Sequence, residues 1–378
     1  MVGVGLAMCA ALGGGFAYFS RHARRVAAQG AGQAAASSAP PAADPPQPAL
    51  DVDGYNAKLL ALANLPPPQQ VTTVHWTRNP DGKGRTRTET TTTRFARASS
   101  GVALQDLWPA KAPLPEPGAL LPFDRIIAFY GNLYTTKMGV LGEYPAPQML
   151  AMLARTTAQW QAADPTTQAV PALDYIAVAA QASAGSDGKY NLRMPAGQIE
   201  KVLGLAQQAH AIVFLDVQVG QSDVRTEVSL LAPFLKLPQV ELAIDPEFAM
   251  RGGKRPGTVI GTLDAADINW AAQFLAQIVQ ANHLPPKIFV IHRFTGPMVT
   301  RARRIRPLPQ VQIVMDMDGF GYPAQKIKTY ADFIQSQPVQ FTGFKLFYKN
   351  DVRRPGSHML TPEEILKLTP RPSYIQYQ

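Results

Sequence analysis

The sequence predicts a (β/α)8 barrel of the TIM-barrel type, which follows an amino-terminal membrane anchor, a flexible tether and a β-hairpin insert. Beyond Pro122, short and nearly continuous apolar runs alternate with stretches long enough to form helices. Strands of that kind belong to a parallel sheet covered on both faces. Eight such runs between residues 122 and 378 match the strand number of a closed barrel. An open, doubly wound sheet is the alternative, but no glycine-rich phosphate-binding loop follows the first strand.

The predicted barrel elements follow one another in a regular order. The strands are "RIIAFYG" (125–131), "DYIAVAAQ" (174–181), "AIVFLDVQ" (211–218), "VELAIDPE" (240–247), "KIFVIHRF" (287–294), "VQIVMDMD" (311–318), "GFKLFY" (343–348) and "SYIQYQ" (373–378). Helices are predicted over 146–163, 196–210, 224–237, 265–284, 326–337 and 361–368. Asp264 and Thr361 are predicted N-caps, the latter with Glu364 in a capping box. The extra run "TVIGTL" (258–263) displaces one strand or forms a side hairpin.

The first 26 residues predict a membrane anchor. The run "VGVGLAMCAALGGGFAYF" carries no charge and spans about 27 Å as a helix at ~1.5 Å per residue. The basic cluster "RHARR" follows it, and the positive-inside rule alone would place the remainder in the cytoplasm. A degenerate lipid-attachment box around Cys9 and a start further upstream are alternatives. We favour an uncleaved or lipid-modified anchor, with the main domain periplasmic or extracellular.

Residues 27–50 are rich in Ala and Pro and predict a flexible tether. In the extension 51–121, a short helix is expected over 55–64. The segment "VTTVHWTRNPDGKGRTRTETTTTRF" has two alternating runs on either side of a strong turn, which predicts a β-hairpin over 71–95. An isolated hairpin is marginally stable, so it is expected to lean on another surface. Two interpretations are open: a lid across one end of the barrel, or a basic arm that docks onto a protein of a larger membrane complex.

The composition limits the partners and the chemistry. The net charge of +9 and the pI of about 9.6 favour acidic partners, such as anionic lipid, an acidic polysaccharide or an acidic protein. No nucleic-acid-binding motif is present. The single cysteine excludes an intrachain disulfide and a thiol-based zinc cluster. The basic run "RARRIR" (301–306) suits lipid headgroups or an acidic partner, and a solvated helix face is its alternative.

The candidate site lies at the carboxyl ends of the predicted strands, where the loops of such a barrel converge. Glycoside hydrolysis requires two carboxyl groups, and the candidates for catalysis are Glu247, Asp245, Asp316 and Asp318. Lys345, His292 and Arg293 are expected to compensate their charge. Candidate substrate-binding residues are Tyr130, Asn132, Glu143, Gln181, Asp216, Gln218, His292, Lys345 and Tyr348. Further aromatic residues expected to stack on sugar rings are Tyr144, Phe320 and Tyr322.

Other functions remain open for the same residues. One alternative is that the acids form a buried ion network and bind no substrate. Another is that they bind a ligand without catalysis. A hard divalent cation is a further candidate ligand of the aspartates and His292, but no HExxH or paired-histidine spacing supports it, so neither a metal nor a cofactor is predicted. The usual retaining pattern uses two glutamates, whereas the sixth strand offers only aspartates. The main alternative to a hydrolase is a non-catalytic accessory subunit that stabilises a larger membrane complex, for example a photosynthetic or envelope assembly.

Several motifs carry a resemblance to a known family. The motifs are "AFYGN", "MGVLGEY", "FLDVQ", "LAIDPE", "VIGTLDA", "DGFG" and "FKLFY". Over about residues 122–378 the chain resembles an uncharacterised family of secreted or lipid-anchored bacterial proteins, which are similar to the TIM barrels of glycoside hydrolases. The resemblance implies the fold and an extracytoplasmic location. "VIHRF" departs from it, since a polar amide is expected in place of Arg293.

Overall fold

A computed structural model describes residues 49–378 of the chain. The predicted anchor and all but the end of the predicted tether lie outside these residues. Within residues 49–378, no helix combines the length and the apolar character that crossing a membrane requires.

The extension before the barrel contains two short helices and a hairpin. Its elements are α1 (Val52–Ala63), β1 (Gln69–Arg78), β2 (Arg85–Arg94) and α2 (Leu104–Leu107). The side chain of Asp51 accepts a hydrogen bond from the backbone of Gly54 and caps α1.

The barrel domain begins at Asp124. Its strands are β3 (Asp124–Gly131), β4 (Gln168–Ala180), β5 (Asn191–Arg193), β6 (Ile212–Val217), β7 (Val240–Ile244), β8 (Leu263–Asp264), β9 (Lys287–Arg293), β10 (Val299–Thr300), β11 (Val311–Met317), β12 (Phe341–Leu346) and β13 (Tyr374–Tyr377). Its α-helices are α3 (Val140–Glu143), α4 (Ala146–Ala163), α5 (Ala196–Gln208), α6 (Val224–Leu230), α7 (Ala232–Leu235), α8 (Ala265–Asn282), α9 (Pro323–Tyr330) and α10 (Pro362–Ile365). A π-helical turn at Ala331–Gln335 extends α9, and 3₁₀ turns lie at Pro246–Phe248 and Ala302–Arg304.

Eight of these strands form a closed parallel barrel, which confirms the predicted fold. The order around the barrel is β3, β13, β12, β11, β9, β7, β6 and β4, and β4 pairs again with β3. The short β5 adds an antiparallel edge to β4. Predicted N-caps are also confirmed, because Asp264 and Thr361 both form capping boxes at their helices.

The strands separate two apolar layers, since successive side chains point to opposite faces. Ile126, Phe214 and Val290 belong to the layer inside the barrel. The second layer lies between the strands and the helices, where α4 contributes Met149 and Leu153 at helical spacing. The polar side chains described below lie at the carboxyl ends of the inward-facing rows.

Several element boundaries differ from the sequence prediction. The strand expected over 174–181 begins at Gln168, so Asp174 lies inside β4. The helix expected over 224–237 is divided into α6 and α7, because Pro233 in the first turn of α7 lacks a backbone donor. The run 258–263 neither displaces a barrel strand nor forms a hairpin; only its last residue, Leu263, enters β8, which pairs with β10 outside the barrel.

The amino end of the barrel is covered by α1. Leu59 and Leu62 pack against the inner apolar layer. The backbone N–H of Arg371 donates to the carbonyl of Leu62 at 2.7 Å, and the side chain of Asn64 donates to the carbonyl of Leu368 at 2.8 Å. The extension is therefore partly integral to the barrel domain.

The hairpin stands away from the barrel. Its strands pair over ten positions, from Gln69 opposite Arg94 to Arg78 opposite Arg85. Every side chain of the two strands is exposed except that of Val71, which is half-buried. The interpretation as a lid was therefore wrong, because the Thr-rich strands of the hairpin offer too little apolar surface to hold it against the domain.

Candidate functional site

The mouth of the barrel, at the carboxyl ends of the strands, holds a dense set of buried polar side chains. Since every second residue of a strand points inward, each strand delivers one or two of them. The inward-facing set is Tyr130, Asp174, Asp216, Gln218, Asp245, His292, Asp316, Asp318, Lys345, Tyr374 and Gln376, each at most 4% exposed. We call this set, together with Glu247, the mouth network.

Asp316 and Asp318 are paired with two cations of neighbouring strands. The Nδ1 of His292 lies 3.0 Å from an oxygen of Asp316 and 3.7 Å from one of Asp318. The Nζ of Lys345 lies 3.0 Å from the other oxygen of Asp318. Burial alone would lower the pKa of His292, but the hydrogen bond with Asp316 and the charge of Asp318 outweigh it and raise this pKa to about 10. The imidazole is therefore a cation at neutral pH.

A glycine creates the room for this cluster. A Cβ atom at Gly343 of β12 would lie 2.5 Å from an oxygen of Asp316. The absent side chain lets the carboxylate lie against the neighbouring strand, within reach of His292.

Tyr130 connects the cations to a second group of acids. Its hydroxyl donates to Asp216 at 2.9 Å and accepts from the Nε2 of Gln218 at 3.1 Å. The ammonium of Lys345 lies 3.9 Å from the centre of its ring, which is a close cation–π contact. Burial, followed by the nearby charge of Asp216, raises the pKa of Tyr130 well above its ordinary value, so the phenol remains protonated.

Asp174, Tyr374 and Gln376 form the floor of the mouth network. One oxygen of Asp174 accepts from the hydroxyl of Tyr374 at 2.6 Å and from the amide of Gln376 at 2.7 Å. Burial raises the pKa of Asp174 to about 6, although the charge of His292 and these hydrogen bonds oppose the shift. Sequence reasoning missed Asp174 and Tyr374, since both were placed at the beginnings of predicted strands; inward alternation from Gln376 would have identified Tyr374.

Asp245 and Glu247 lie beyond the end of β7. Asp245 accepts a hydrogen bond from the backbone of Glu247 at 2.9 Å and so caps the 3₁₀ turn Pro246–Phe248. Burial is the main cause that raises the pKa of Asp245 to about 7. Burial and the neighbouring Asp245 and Asp318 raise the pKa of Glu247 well above its ordinary value. A raised pKa favours the protonated form of Glu247, which is the form that a general acid needs.

The space above the network is small. A cavity of about 50 Å³ is lined by Tyr130, Met138, Ile176, Gln218, Asp245, Glu247, Phe248, Asp318, Lys345 and Gln378. Pockets for small ligands commonly enclose about 300–1,000 Å³. The cavity has room for a few water molecules, which require roughly 10–15 Å³ each by the same kind of measure.

Several predicted site residues do not line this cavity. Asn132 is used structurally, since its amide donates to the carbonyl of Ile176, and Gln181 donates to the carbonyl of Ala179. Glu143 pairs with Lys349 at the rim. Tyr348 packs on Tyr377, with ring centres 5.5 Å apart.

The further aromatic residues that were expected to stack on sugar rings, and Arg293, also lie outside the mouth cavity. Tyr144 packs against the outer core, Phe320 meets the edge of Phe347, and Tyr322 lies under Arg354. Arg293 was expected to compensate the acids, but its guanidinium bonds to the loop carbonyls on the outside of the barrel wall.

A divalent cation was an alternative ligand of the aspartates and His292, although no metal site was predicted. Within residues 49–378, no group of three or more His, Cys, Asp or Glu side chains is arranged to hold a metal ion. In the mouth network, Asp316 pairs with His292 and Asp318 pairs with Lys345.

Comparisons with known proteins add a fold likeness. No protein-family model matches the chain, and no curated protein sequence matches it. Among solved structures, a mannanase from Bacillus subtilis is similar at 11% identity; the match covers 68% of this chain and 80% of the mannanase chain, with a TM-score of 0.34. Such a likeness carries no argument about activity. The parallel eight-stranded barrel is established by the strand pairing itself, and the family that the sequence motifs suggested stays a prediction.

Proposed function

We propose that the protein is a non-catalytic accessory subunit, anchored to a membrane through its amino-terminal segment, whose barrel lies outside the cytoplasm and docks onto a partner protein through the hairpin. The observation that carries this proposal is the exposed hairpin. The hairpin consists of two ten-residue strands whose side chains are almost all exposed. Such an isolated ribbon is only marginally stable unless another surface covers it.

The hairpin has one face suited to an acidic protein. Opposite residues of an antiparallel pair share a face, so Trp76 lies beside Arg87, and Val74, Arg78 and Arg85 lie on the same side. Glu89 also lies on this face and pairs with Arg87, so the three arginines exceed the acid by two charges. The Trp76 side chain is 58% exposed. Tryptophan and arginine are the side chains that most often dominate protein interfaces. Residues 69–97 carry six basic and two acidic residues, which favours a partner with an acidic surface.

The mouth network supports the same proposal. Its carboxylates are buried, Asp316 and Asp318 are paired with His292 and Lys345, and the remaining space is about 50 Å³. A polysaccharide hydrolase presents an open cleft to a chain of sugars, whereas this arrangement resembles the ion network of a rigid barrel.

The test is capture of the partner from detergent-solubilised native membranes by the tagged full chain. The variant Trp76→Ala/Arg87→Ala removes the centre of the basic face. The matched control Thr88→Ala/Thr90→Ala alters the opposite face of the same ribbon. We expect one partner to be lost with the first variant and retained with the second. The salt dependence of binding, measured with the purified partner, then tests whether the partner's surface is acidic.

Removal of residues 71–95 supplies a second measurement. We expect this deletion to abolish partner binding and to leave the thermal transition of the barrel nearly unchanged, because the hairpin strands bury no core residue. The proposal fails if every captured protein binds the wild type and Trp76→Ala/Arg87→Ala equally. A large fall in the thermal transition would instead assign the hairpin a role in folding.

One observation favours a second candidate, a glycoside hydrolase-like enzyme acting on a polysaccharide. The pKa of Glu247 is raised at the cavity, and Asp318, which pairs with Lys345, lines the same space. Sugar hydrolysis uses two carboxyl groups, one of which acts as a general acid with a raised pKa. This candidate requires the mouth to open, and the substitution of Asp318 discussed below separates the two functions.

A further inference from the structure

Arg293 is a buried cation that the mouth network does not use. Its side chain is 1% exposed. The guanidinium donates to the carbonyls of Thr295, Phe333 and Gly296 at 3.0–3.2 Å and to the side-chain oxygen of Gln337 at 3.0 Å. Burial lowers the pKa of Arg293 to about 10. No carboxylate within residues 49–378 forms an ion pair with it, so its charge is solvated by neutral dipoles alone.

This arginine forms part of the wall of a cleft on the outside of the barrel. The cleft encloses about 530 Å³ between the loop that follows β9, the end of the π-helical turn and Ser100 at the base of the hairpin. Arg301, Arg303 and Arg304 line it together with Ser336. No aspartate or glutamate of the described chain lines it.

Only one of these arginines has a counter-ion. The Nε of Arg301 donates to Asp264 at 2.7 Å, and this acid caps α8. Arg303 and Arg304 are exposed and, like Arg293, form no ion pair in the part of the chain that the structure describes. Three uncompensated guanidinium groups therefore face one concave space, where a like-charge cluster is unfavourable without an anion.

We propose that this cleft binds a phosphate group, with Arg303 and Arg304 as the outer contacts and Arg293 as the buried charge behind them. The planar guanidinium fork matches the geometry of phosphate oxygens and forms charge-assisted, paired hydrogen bonds with them. The hydroxyl group of Ser100 lines the same space and is a suitable additional donor. Such a group belongs either to a soluble phosphate compound or to the headgroup of an anionic lipid.

Calorimetric titration of the full chain with inorganic phosphate and with pyrophosphate, at low ionic strength, tests the first source. Flotation with phosphatidylcholine vesicles, with and without phosphatidic acid, tests the second. The key variant is Arg303→Ala/Arg304→Ala, whose side chains are exposed and unpaired. The matched control is Arg353→Ala/Arg354→Ala, another exposed arginine pair, which lies outside the cleft.

We expect the key variant to weaken binding about tenfold or more and the control to change it by less than about twofold, since loss of a charge-assisted contact acts locally. If the affinity for phosphate or pyrophosphate depends on Arg303 and Arg304, the ligand is a soluble phosphate compound. The same dependence with phosphatidic acid vesicles alone identifies a lipid headgroup. An equal loss in both double variants would show general charge attraction and overturn the proposal, as would a wild-type chain that binds none of the probes.

Discussion

Asp318→Asn distinguishes a structural ion network from a strained catalytic site. The substitution keeps the shape of the side chain and removes its charge. Asp318 is 2% exposed and lies 3.0 Å from the ammonium of Lys345, which is itself 2% exposed. In the structural case the variant therefore leaves a buried lysine without its closest counter-ion.

The expected cost follows from this burial. Breaking a buried pair by removing one partner typically costs about 3–5 kcal/mol. Unfolding entropy is about 2.1 cal/mol/K per residue, so for the roughly 330 residues of this domain the loss corresponds to a fall in Tm of roughly 4–7 °C. Asp316, 3.0 Å from His292, should behave in the same way when changed to Asn.

The assay is denaturant unfolding followed by circular dichroism, together with thermal melts. Asp332→Asn is the matched control, because it makes the same chemical change in the exposed pair with Lys328 and should cost less than about 1 kcal/mol. The double variant Asp318→Asn/Lys345→Met should be more stable than the sum of the single losses predicts, by roughly 1–3 kcal/mol.

A different outcome would refute the structural interpretation. If Asp318→Asn, Asp316→Asn and Glu247→Gln are all as stable as the wild type or more stable, the mouth stores strain, which is typical of catalytic sites. In that case loss of polysaccharide turnover in the folded Asp318→Asn variant would establish the hydrolase and reject the accessory role of the barrel.

Two further predictions concern pH and the amino terminus. The pKa of Asp245 is about 7 in the folded chain and about 3.9 in the unfolded chain. The native state therefore binds more protons between these pH values, and stability falls as pH rises from about 4 to 7. Asp245→Asn should reduce this fall in Tm, and an unchanged dependence of Tm on pH would contradict the pKa shift. A chain without residues 1–25 should be soluble and keep the thermal transition of the full chain, because the barrel and its covering helix α1 lie within residues 49–378; an insoluble or unfolded product would show that the anchor belongs to the fold.

The barrel could be predicted because burial on both faces makes a parallel strand almost continuously apolar. The ends of the strands were predicted less accurately than the strands themselves. The second barrel strand was predicted to begin at Asp174, yet β4 begins at Gln168 and continues through Pro171. The consequence for the site was direct, since Asp174 then lies inside the strand and reaches the floor of the mouth.

The hairpin shows a different limit. Its pairing depends on local alternation and on the turn, so the sequence predicts it well. Its position relative to the barrel depends on apolar contacts between distant segments, and its Thr-rich strands provide few. The covering of the amino end of the barrel comes instead from Leu59 and Leu62 of α1, whose apolar side chains have a core to meet.

His292 and Arg293 show how one position along a strand separates two environments. Both end β9, and taking both as countercharges for the mouth ignored the alternation that correctly placed Asp316 and Asp318 together. His292 points inward to two carboxylates, whereas Arg293 points outward to carbonyls and a basic cleft. The two sites therefore share a strand but no charge contact. Asp318→Asn should leave phosphate affinity unchanged in the folded protein, and Arg303→Ala/Arg304→Ala should leave the pH dependence of stability unchanged. A coupling between these measurements would show that β9 transmits strain across the barrel wall.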